Sequence, residues 1–241
     1  MAVDGRRHIL AIGGFAPLPQ QDQFLPAIIG HALALSGVAA PQVCVLNTAN
    51  GDDPGAYVRM YAMLTQHGAR PAHLPLFPMP NVSDPEDLLL SQDVIFVGGG
   101  SVANMVAVWR VHGLDDILRR AWAAGIVLAG VSAGAICWFG GGTTDSFGPL
   151  LRPFTDGLGL LPGSYCPHYS AEPTRRPAYQ ALVADGTLPG GIACDDGAGA
   201  HFAGDDLDGI VAERPGAVGY RVEPDGHGGV TEVPLTTRLV T

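Results

Sequence analysis

The sequence predicts an α/β fold with a mostly parallel sheet, helices on both of its faces and a β-rich C-terminal part. Three observations carry this expectation. Short apolar runs alternate with longer amphipathic ones through about residue 139, as in strands joined by crossover helices. Glycines gather at Gly98-Gly99-Gly100 and at Gly130 and Gly134, where a strand-like run gives way to a helix-like one. Beyond residue 139 a Gly- and Pro-rich stretch leads into several short strand-like segments.

Strands are expected at His8 to Ile12, Val43 to Asn47, Ala72 to Phe77, Val94 to Val97 and Ile126 to Val131, each a short apolar run. Between them Phe24 to Leu35, Ala56 to Gln66 and Pro85 to Leu90 read as helices, the last opened by Ser83 with Glu86 at capping-box spacing. Val102 to Val111 and Leu114 to Ala124 form two more, separated at Gly113. From Gly140 to Pro167 no regular element is expected, and a loop of that length inside a domain points to function. A helix from about Arg176 to Ala184 follows. Strand-like segments at Gly191 to Cys194, Ala200 to Phe202, Gly209 to Glu213 and Val218 to Val222 then read as a finish to the same sheet. No repeat or linker divides the chain, so residues 1–241 read as one domain.

Composition narrows the function classes. The 241 residues are 47% hydrophobic and 15% charged, the balance of a chain with a substantial core rather than of disorder. A net charge of −10 with only 13 Lys and Arg argues against a nucleic-acid binder, which neutralises phosphates with clustered cations. Cys44, Cys137, Cys166 and Cys194 sit singly in apolar stretches, without the spacing of a zinc site or a disulfide framework. No secretory leader and no long apolar run is found, so no membrane partner and a cytoplasmic location are expected.

The most informative segment is Gly130-Val131-Ser132-Ala133-Gly134, a Gly-x-Ser-x-Gly element between a strand and a helix. Such an element is the signature of a nucleophile elbow, in which a sharp turn lifts the central hydroxyl to the end of the sheet. Gly130 and Gly134 leave the space that side chains would fill. The amides that open the following helix, Ala133 first, face whatever sits above the serine and favour an oxyanion. Gly98-Gly99-Gly100 lacks the spacing of a phosphate loop, but its bare backbone supplies a second set of N–H donors.

A serine nucleophile needs a base, and histidine titrates in the right range. Of eight histidines, His8, His31, His67 and His73 fall on predicted strands or helices, His112 closes a helix, and His201 and His227 lie in the β-rich tail. His168, in Cys166-Pro167-His168-Tyr169, follows the irregular region and is placed to fold back over the sheet edge. Three carboxylates compete to orient it: Asp145 in the Gly-rich loop, Asp196 after a strand, and Glu172 four residues past His168.

Together, Gly98-Gly99-Gly100-Ser101, Gly130 to Ala135, Thr143-Thr144-Asp145, Pro167-His168-Tyr169 and Asp196-Gly197 resemble the peptidase E (aspartyl dipeptidase) family of serine peptidases. The resemblance implies a flavodoxin-like three-layer sandwich related to class I glutamine amidotransferases, with serine in place of cysteine. It implies Ser132 as nucleophile and His168 as general base, with the amides of Gly99, Gly100 and Ala133 as oxyanion hole. Asp145 is placed first as the acid, joining the site from its loop when substrate binds; Asp196 is second and Glu172 third.

The family's substrates are dipeptides with N-terminal aspartate. Thr174-Arg175-Arg176 matches the family's Thr-Arg, making Arg175, and next to it Arg176, the expected partner of the substrate carboxylate. Ser101 stands where the family commonly has a substrate-contacting asparagine, which weakens the case for strict aspartyl specificity. The resemblance also implies a homodimer, and neither metal nor organic cofactor. Two other readings stay open: a cyanophycinase-like peptidase, and a non-catalytic small-molecule binding domain on the same scaffold.

Overall fold

The computed structural model describes residues 5–15 and 26–240. The first part runs β1 (His8–Ile12), α1 (Ala27–Ala34), β2 (Gln42–Leu46), α2 (Pro54–Gln66), β3 (Arg70–His73), α3 (Pro85–Leu90), β4 (Val94–Val97), α4 (Val102–His112), α5 (Leu114–Ala123), β5 (Val127–Val131) and α6 (Ala133–Ile136). The second runs β6 (Gly141–Thr144), β7 (Arg152–Phe154), β8 (Ser164–Cys166), α7 (Arg175–Ala184), β9 (Gly191–Cys194), β10 (Ala198–Ala203), β11 (Asp206–Ala212), β12 (Gly219–Pro224), β13 (Val230–Pro234) and β14 (Thr237–Leu239).

Strands β3, β2, β4, β5 and β1 lie side by side and parallel, and β10, β11 and β14 extend the sheet beyond β1. Alternation along each strand explains the layers. Leu10, Ile12, Val45, Phe96 and Ala129 pack on one face with Ile28 and Ile29 of α1 and Met60 and Leu64 of α2. Their neighbours Ile9, Ala11, Cys44, Ile95 and Leu128 pack on the other with Leu89 of α3, Trp109 of α4 and Leu118 of α5. The result is a helix–sheet–helix sandwich with both faces of the central strands buried, in agreement with the expected fold class.

The helix starts differ in detail from the sequence expectation. Helix α2 opens at Pro54, two residues early, because the Asp53 carboxylate caps the amides of Gly55 and Ala56. Helix α3 is capped by Asp84 on the Asp87 amide rather than by Ser83. Strand β3 is shorter than Ala72 to Phe77: the Asp52 carboxylate takes the amides of Leu76 and Phe77 out of the ladder. Helix α1 begins at Ala27; Phe24 and Leu25, expected to open it, lie outside the described residues.

The larger correction concerns residues 140–167 and the C-terminal part. They do not simply finish the first sheet; they build a second one, in the order β13-β12-β9-β8-β6-β7. Three of its strands lie in the stretch expected to be irregular. Glycine is a poor strand former by propensity, yet here it is required by packing: a methyl group on Gly141 would sit 2.0 Å from the Phe154 carbonyl oxygen, and one on Gly142 2.1 Å from that of Tyr165. Strands β10 and β11 do join the first sheet, whereas β9 and β12 belong to the second.

Candidate active site

Three strands of the first sheet end together. Gly13 and Gly14 follow β1, Gly98 to Gly100 follow β4, and Ser132 follows β5. In an open parallel sheet this carboxyl edge is where loops diverge and ligands bind. Ser132 has φ 56° and ψ −114°, a left-handed conformation that a residue with a side chain adopts only when its surroundings enforce it. Its amide donates to the Ile12 carbonyl, and its own carbonyl accepts from the amides of Ala135 and Ile136. The flanking glycines are there for close approach: a methyl on Gly130 would lie 2.0 Å from the Gly134 oxygen, and one on Gly134 2.4 Å from the Val97 oxygen.

The Ser132 hydroxyl meets His168. His168 Nε2 lies 2.8 Å from Ser132 Oγ, and His168 Nδ1 lies 2.7 Å from Asp196 Oδ1. With the proton on Nδ1 donated to the carboxylate, Nε2 is free to accept from the hydroxyl. The imidazole and the carboxylate side chains are 21% and 17% exposed, so the pair is shielded while still open to a substrate. His168 also has positive φ, 55°. The backbone around it is pinned: its carbonyl accepts from Glu172 N–H, and Tyr169 N–H donates to the Cys194 carbonyl.

Asp196, rather than Asp145, is therefore the carboxylate on His168, which corrects the order expected from sequence. The loop after β9 is drawn to the end of β1 in the first sheet, where Gly14 bridges Asp196 and Gly197 N–H donates to the Gly14 carbonyl. His168 leaves the end of β8, which has β9 on one side and β6 on the other. The imidazole turns toward the loop after β9, where Asp196 sits, and away from the loop after β6, where Asp145 sits. Asp145 lies 3.9 Å from Arg175 Nη2 and its side chain is 59% exposed. Glu172, the third candidate, accepts from Arg175 Nε at 2.6 Å.

The residues expected to bind substrate are also engaged. Arg175 is buried, its side chain 4% exposed, and it donates to Glu172 and to the Thr143 carbonyl. Arg176 pairs through Nε and Nη2 with both carboxylate oxygens of Glu232 and lies over the rings of Tyr169 and Tyr220. Burial opposes ionisation of Glu232, but hydrogen bonds from Tyr169, Arg176 and Gln180 outweigh it and hold the carboxyl below its usual range. Ser101 caps α4, its hydroxyl accepting from Asn104 N–H, so its side chain serves the helix.

Of the expected oxyanion donors, Gly99 has its backbone beside the Ser132 side chain. A methyl built on Gly99 would lie 3.3 Å from Ser132 Cβ and 3.9 Å from Oγ, which puts this backbone against the serine. Among the described residues, the amides of Gly99, Gly100 and Ala133 donate no hydrogen bond. Helix α6 has only four residues, so the field at Ser132 comes from first-turn amides rather than from a long helix dipole.

Two contributors escaped the sequence reading. A methyl on Gly14 would lie 2.0 Å from Asp196 Oδ1 and 2.6 Å from His168 Nδ1, so only glycine leaves room for that hydrogen bond. The signal was a Gly-Gly pair closing the first strand. Asp195 is buried beside Asp196 and contacts the loop that carries His168. The four cysteines are buried and free; burial pushes the thiols of Cys44, Cys166 and Cys194 up to about 12 and that of Cys137 well above its ordinary value, so they stay protonated at neutral pH. No group of His, Cys, Asp and Glu among the described residues is arranged to hold a metal ion, and no helix among them is long and apolar enough to cross a membrane.

Known proteins are similar to this chain in sequence and in architecture. The chain is 42% identical over 234 residues to the uncharacterized peptidase YgaJ of Bacillus subtilis, covering 97% of this chain and 99% of that one. It is 28% identical over 184 residues to a Peptidase E of Shewanella denitrificans, covering 73% and 74%. Two solved structures share the fold at 17% identity. A peptidase from an acI-B1 Actinobacterium matches with a TM-score of 0.64, covering 96% of this chain and 95% of that one. A putative Peptidase E protein from Listeria monocytogenes matches with 0.61, covering 84% and 97%. Residues 10–210 match Peptidase family S51, and the chain belongs to that family.

Proposed function

We propose that this peptidase is of the serine type and cleaves short peptides through an acyl-enzyme on Ser132. The observation that carries the reading is the line of two hydrogen bonds, Asp196 to His168 to Ser132, at 2.7 and 2.8 Å. In the first half-reaction His168 Nε2 takes the hydroxyl proton as Ser132 Oγ attacks the scissile carbonyl carbon. The carbonyl oxygen gains negative charge and is received by the amides of Gly99, Gly100 and Ala133. Asp196 stabilises the imidazolium, which then gives its proton to the departing amine as the C–N bond breaks. A water deprotonated by the same imidazole attacks the acyl-enzyme, releases the acid product and returns the proton to Ser132.

For substrate choice, the arginines matter most. Arg175 and Arg176 both meet carboxylates of this chain, so selectivity for N-terminal aspartate requires the substrate carboxylate to displace one of them. Asp145, at 3.9 Å the longer of the two carboxylate contacts on Arg175, is the one to yield. Peptides are the substrate class the family supports, with short peptides our proposal and aspartyl dipeptides a narrower reading that depends on this exchange. Hydrolysis of Asp-Leu, Ala-Leu and Lys-Leu by the purified protein tests both levels. Cleavage lost in Ser132→Ala supports the serine peptidase, and preference for Asp-Leu supports the exchange at Arg175. Equal cleavage of all three contradicts aspartyl selectivity, and turnover unchanged in Ser132→Ala contradicts the mechanism.

A further inference from the structure

We infer that Asp195 is a positioning residue that sets the His168–Asp196 hydrogen bond, and that the reactivity of Ser132 depends on its carboxylate. This rests on the reading of Ser132, His168 and Asp196 as the reacting set. Asp195 is 6% exposed, and the described contacts of its carboxylate are two backbone amides: Oδ1 accepts from Ser170 N–H and Oδ2 from Val218 N–H, each at 3.1 Å. One side chain thus ties the segment two residues past the base to the segment entering β12, and does so from the residue next to the acid.

The surrounding backbone makes Asp195 a hub. Its own N–H donates to the Val218 carbonyl, and its carbonyl accepts from Ala198 N–H. Tyr169 N–H donates to the Cys194 carbonyl, so the loops carrying base and acid are laced at two successive rungs, Tyr169–Cys194 and Ser170–Asp195. The third side of the Asp196 loop is fixed elsewhere: Gly197 N–H donates to the Gly14 carbonyl at 2.7 Å, and Arg214 Nη2 donates to the Asp196 carbonyl. Asp196 is therefore held from the β1 side without Asp195, whereas beyond Tyr169 the His168 loop has Asp195 as its link to the acid. His168 needs that link because its left-handed backbone is unfavourable for a residue with a side chain and persists only where contacts enforce it.

The chemistry of the carboxylate is specific. Two N–H donors converge on two acceptor oxygens, a demand that a carboxylate meets and a carboxamide of the same shape does not, since one of its positions is an NH2 donor. Asp195→Asn turns one bond into a donor–donor contact at nearly constant volume. Whichever of the two bonds faces the NH2 is lost, the clamp between the Ser170 and Val218 segments loosens and the imidazole drifts from Asp196, while Ser132 and its oxyanion amides, held by the first sheet, stay in place. Misplacement by about 1 Å costs on the order of 100-fold in rate.

The experiment measures the second-order rate of fluorophosphonate labelling of the parent protein and of Asp195→Asn, each with its melting temperature and the pH dependence of labelling. The expected result is labelling about 10- to 100-fold slower in Asp195→Asn at a temperature where both are folded. Its acid limb should move to lower pH, because an imidazolium less tightly held by Asp196 is less stabilised. A residue that merely supports the fold would lower the melting temperature and leave the pH limb unmoved. Parental rate and limb in folded Asp195→Asn overturn the inference and leave the triad reading standing; a parent that does not label at all overturns both. Should Asp195→Asn not fold, hydrogen exchange on the parent decides: protected Ser170 and Val218 amides, with labelling slowed to an intermediate rate in Asp195→Ser, support the clamp, and rapid exchange at Ser170 overturns it.

Discussion

Ser132 is delivered by a strand buried on both faces, whereas His168 and Asp196 are delivered by loops at the ends of short strands in a second sheet. Strand β5 lies between β4 and β1, and its flanking helices pack Leu128 and Ala129 from opposite sides. Its terminal turn is fixed by the close backbone approach at Gly130 and Gly134, where a side chain would collide with carbonyl oxygens. The segments carrying base and acid rely on a handful of hydrogen bonds and on two residues with little room to move, Gly14 and Asp195. The comparison teaches that the proposed nucleophile is firmly held while its proposed activation rests on few contacts: substitutions on the second-sheet side should disable chemistry while leaving the elbow standing.

Removing the nucleophile gives the largest effect. Ser132→Ala should lower kcat by on the order of 10⁴- to 10⁶-fold with no change in the far-UV circular dichroism or in Tm beyond a few degrees. Next comes a paired test on the two loops that flank β8. Asp196→Asn should lower kcat/KM by about 10³- to 10⁴-fold through loss of the proper imidazole tautomer. Asp145→Asn should lower it by less than about 10-fold on a neutral peptide, because its side chain faces Arg175; a reversed order would move the triad acid to the β6 side. Gly14→Ala probes the crowding from the first sheet directly. Its methyl group would press on Asp196 and His168, so kcat should fall by about 100-fold while the protein stays folded.

The smallest effect is expected away from the site, and it sharpens the contrast by acting on stability alone. Burial, with His201 and Arg238 nearby, lowers the pKa of His31 to about 4. An unfolded histidine titrates near 6.5, so between about pH 6.5 and 4 the unfolded chain binds the proton that the folded chain refuses. This contribution is fully present above pH 6.5 and is lost as pH falls toward 4. Thermal melts should show Tm dropping by a few degrees over that interval, and His31→Gln should flatten the drop without changing kcat at neutral pH.

Much of the first part was legible because one physical rule governs it. Strands buried on both faces must be apolar throughout, and the elbow needs small residues at fixed offsets, so β1, β4, β5 and Ser132 could be read from local sequence. His168 was singled out because it follows the irregular region, in a segment placed to fold back over the sheet edge. The carboxylate that meets His168 was not legible, because Asp145 and Asp196 both follow strands that pair with β8, and the choice depends on which loop is drawn to Gly14 of the first sheet, a nonlocal fact. The first strand of the second sheet hid for a related reason: Gly141 and Gly142 weaken a strand by propensity and are demanded there by neighbouring carbonyls. Arg175 and Arg176 looked available to substrate because the sequence cannot show that Glu172 and Glu232 already occupy them. Ser101 could have been read as a helix cap from its position before Val102.

The most direct test of the central claim is peptide mapping of the protein after reaction with a fluorophosphonate. One adduct per chain, located on Ser132 and absent from His168→Ala under the same conditions, is the result expected of a hydroxyl activated by the imidazole 2.8 Å away. An unmodified Ser132, or an adduct that forms at the same rate without His168, would contradict it.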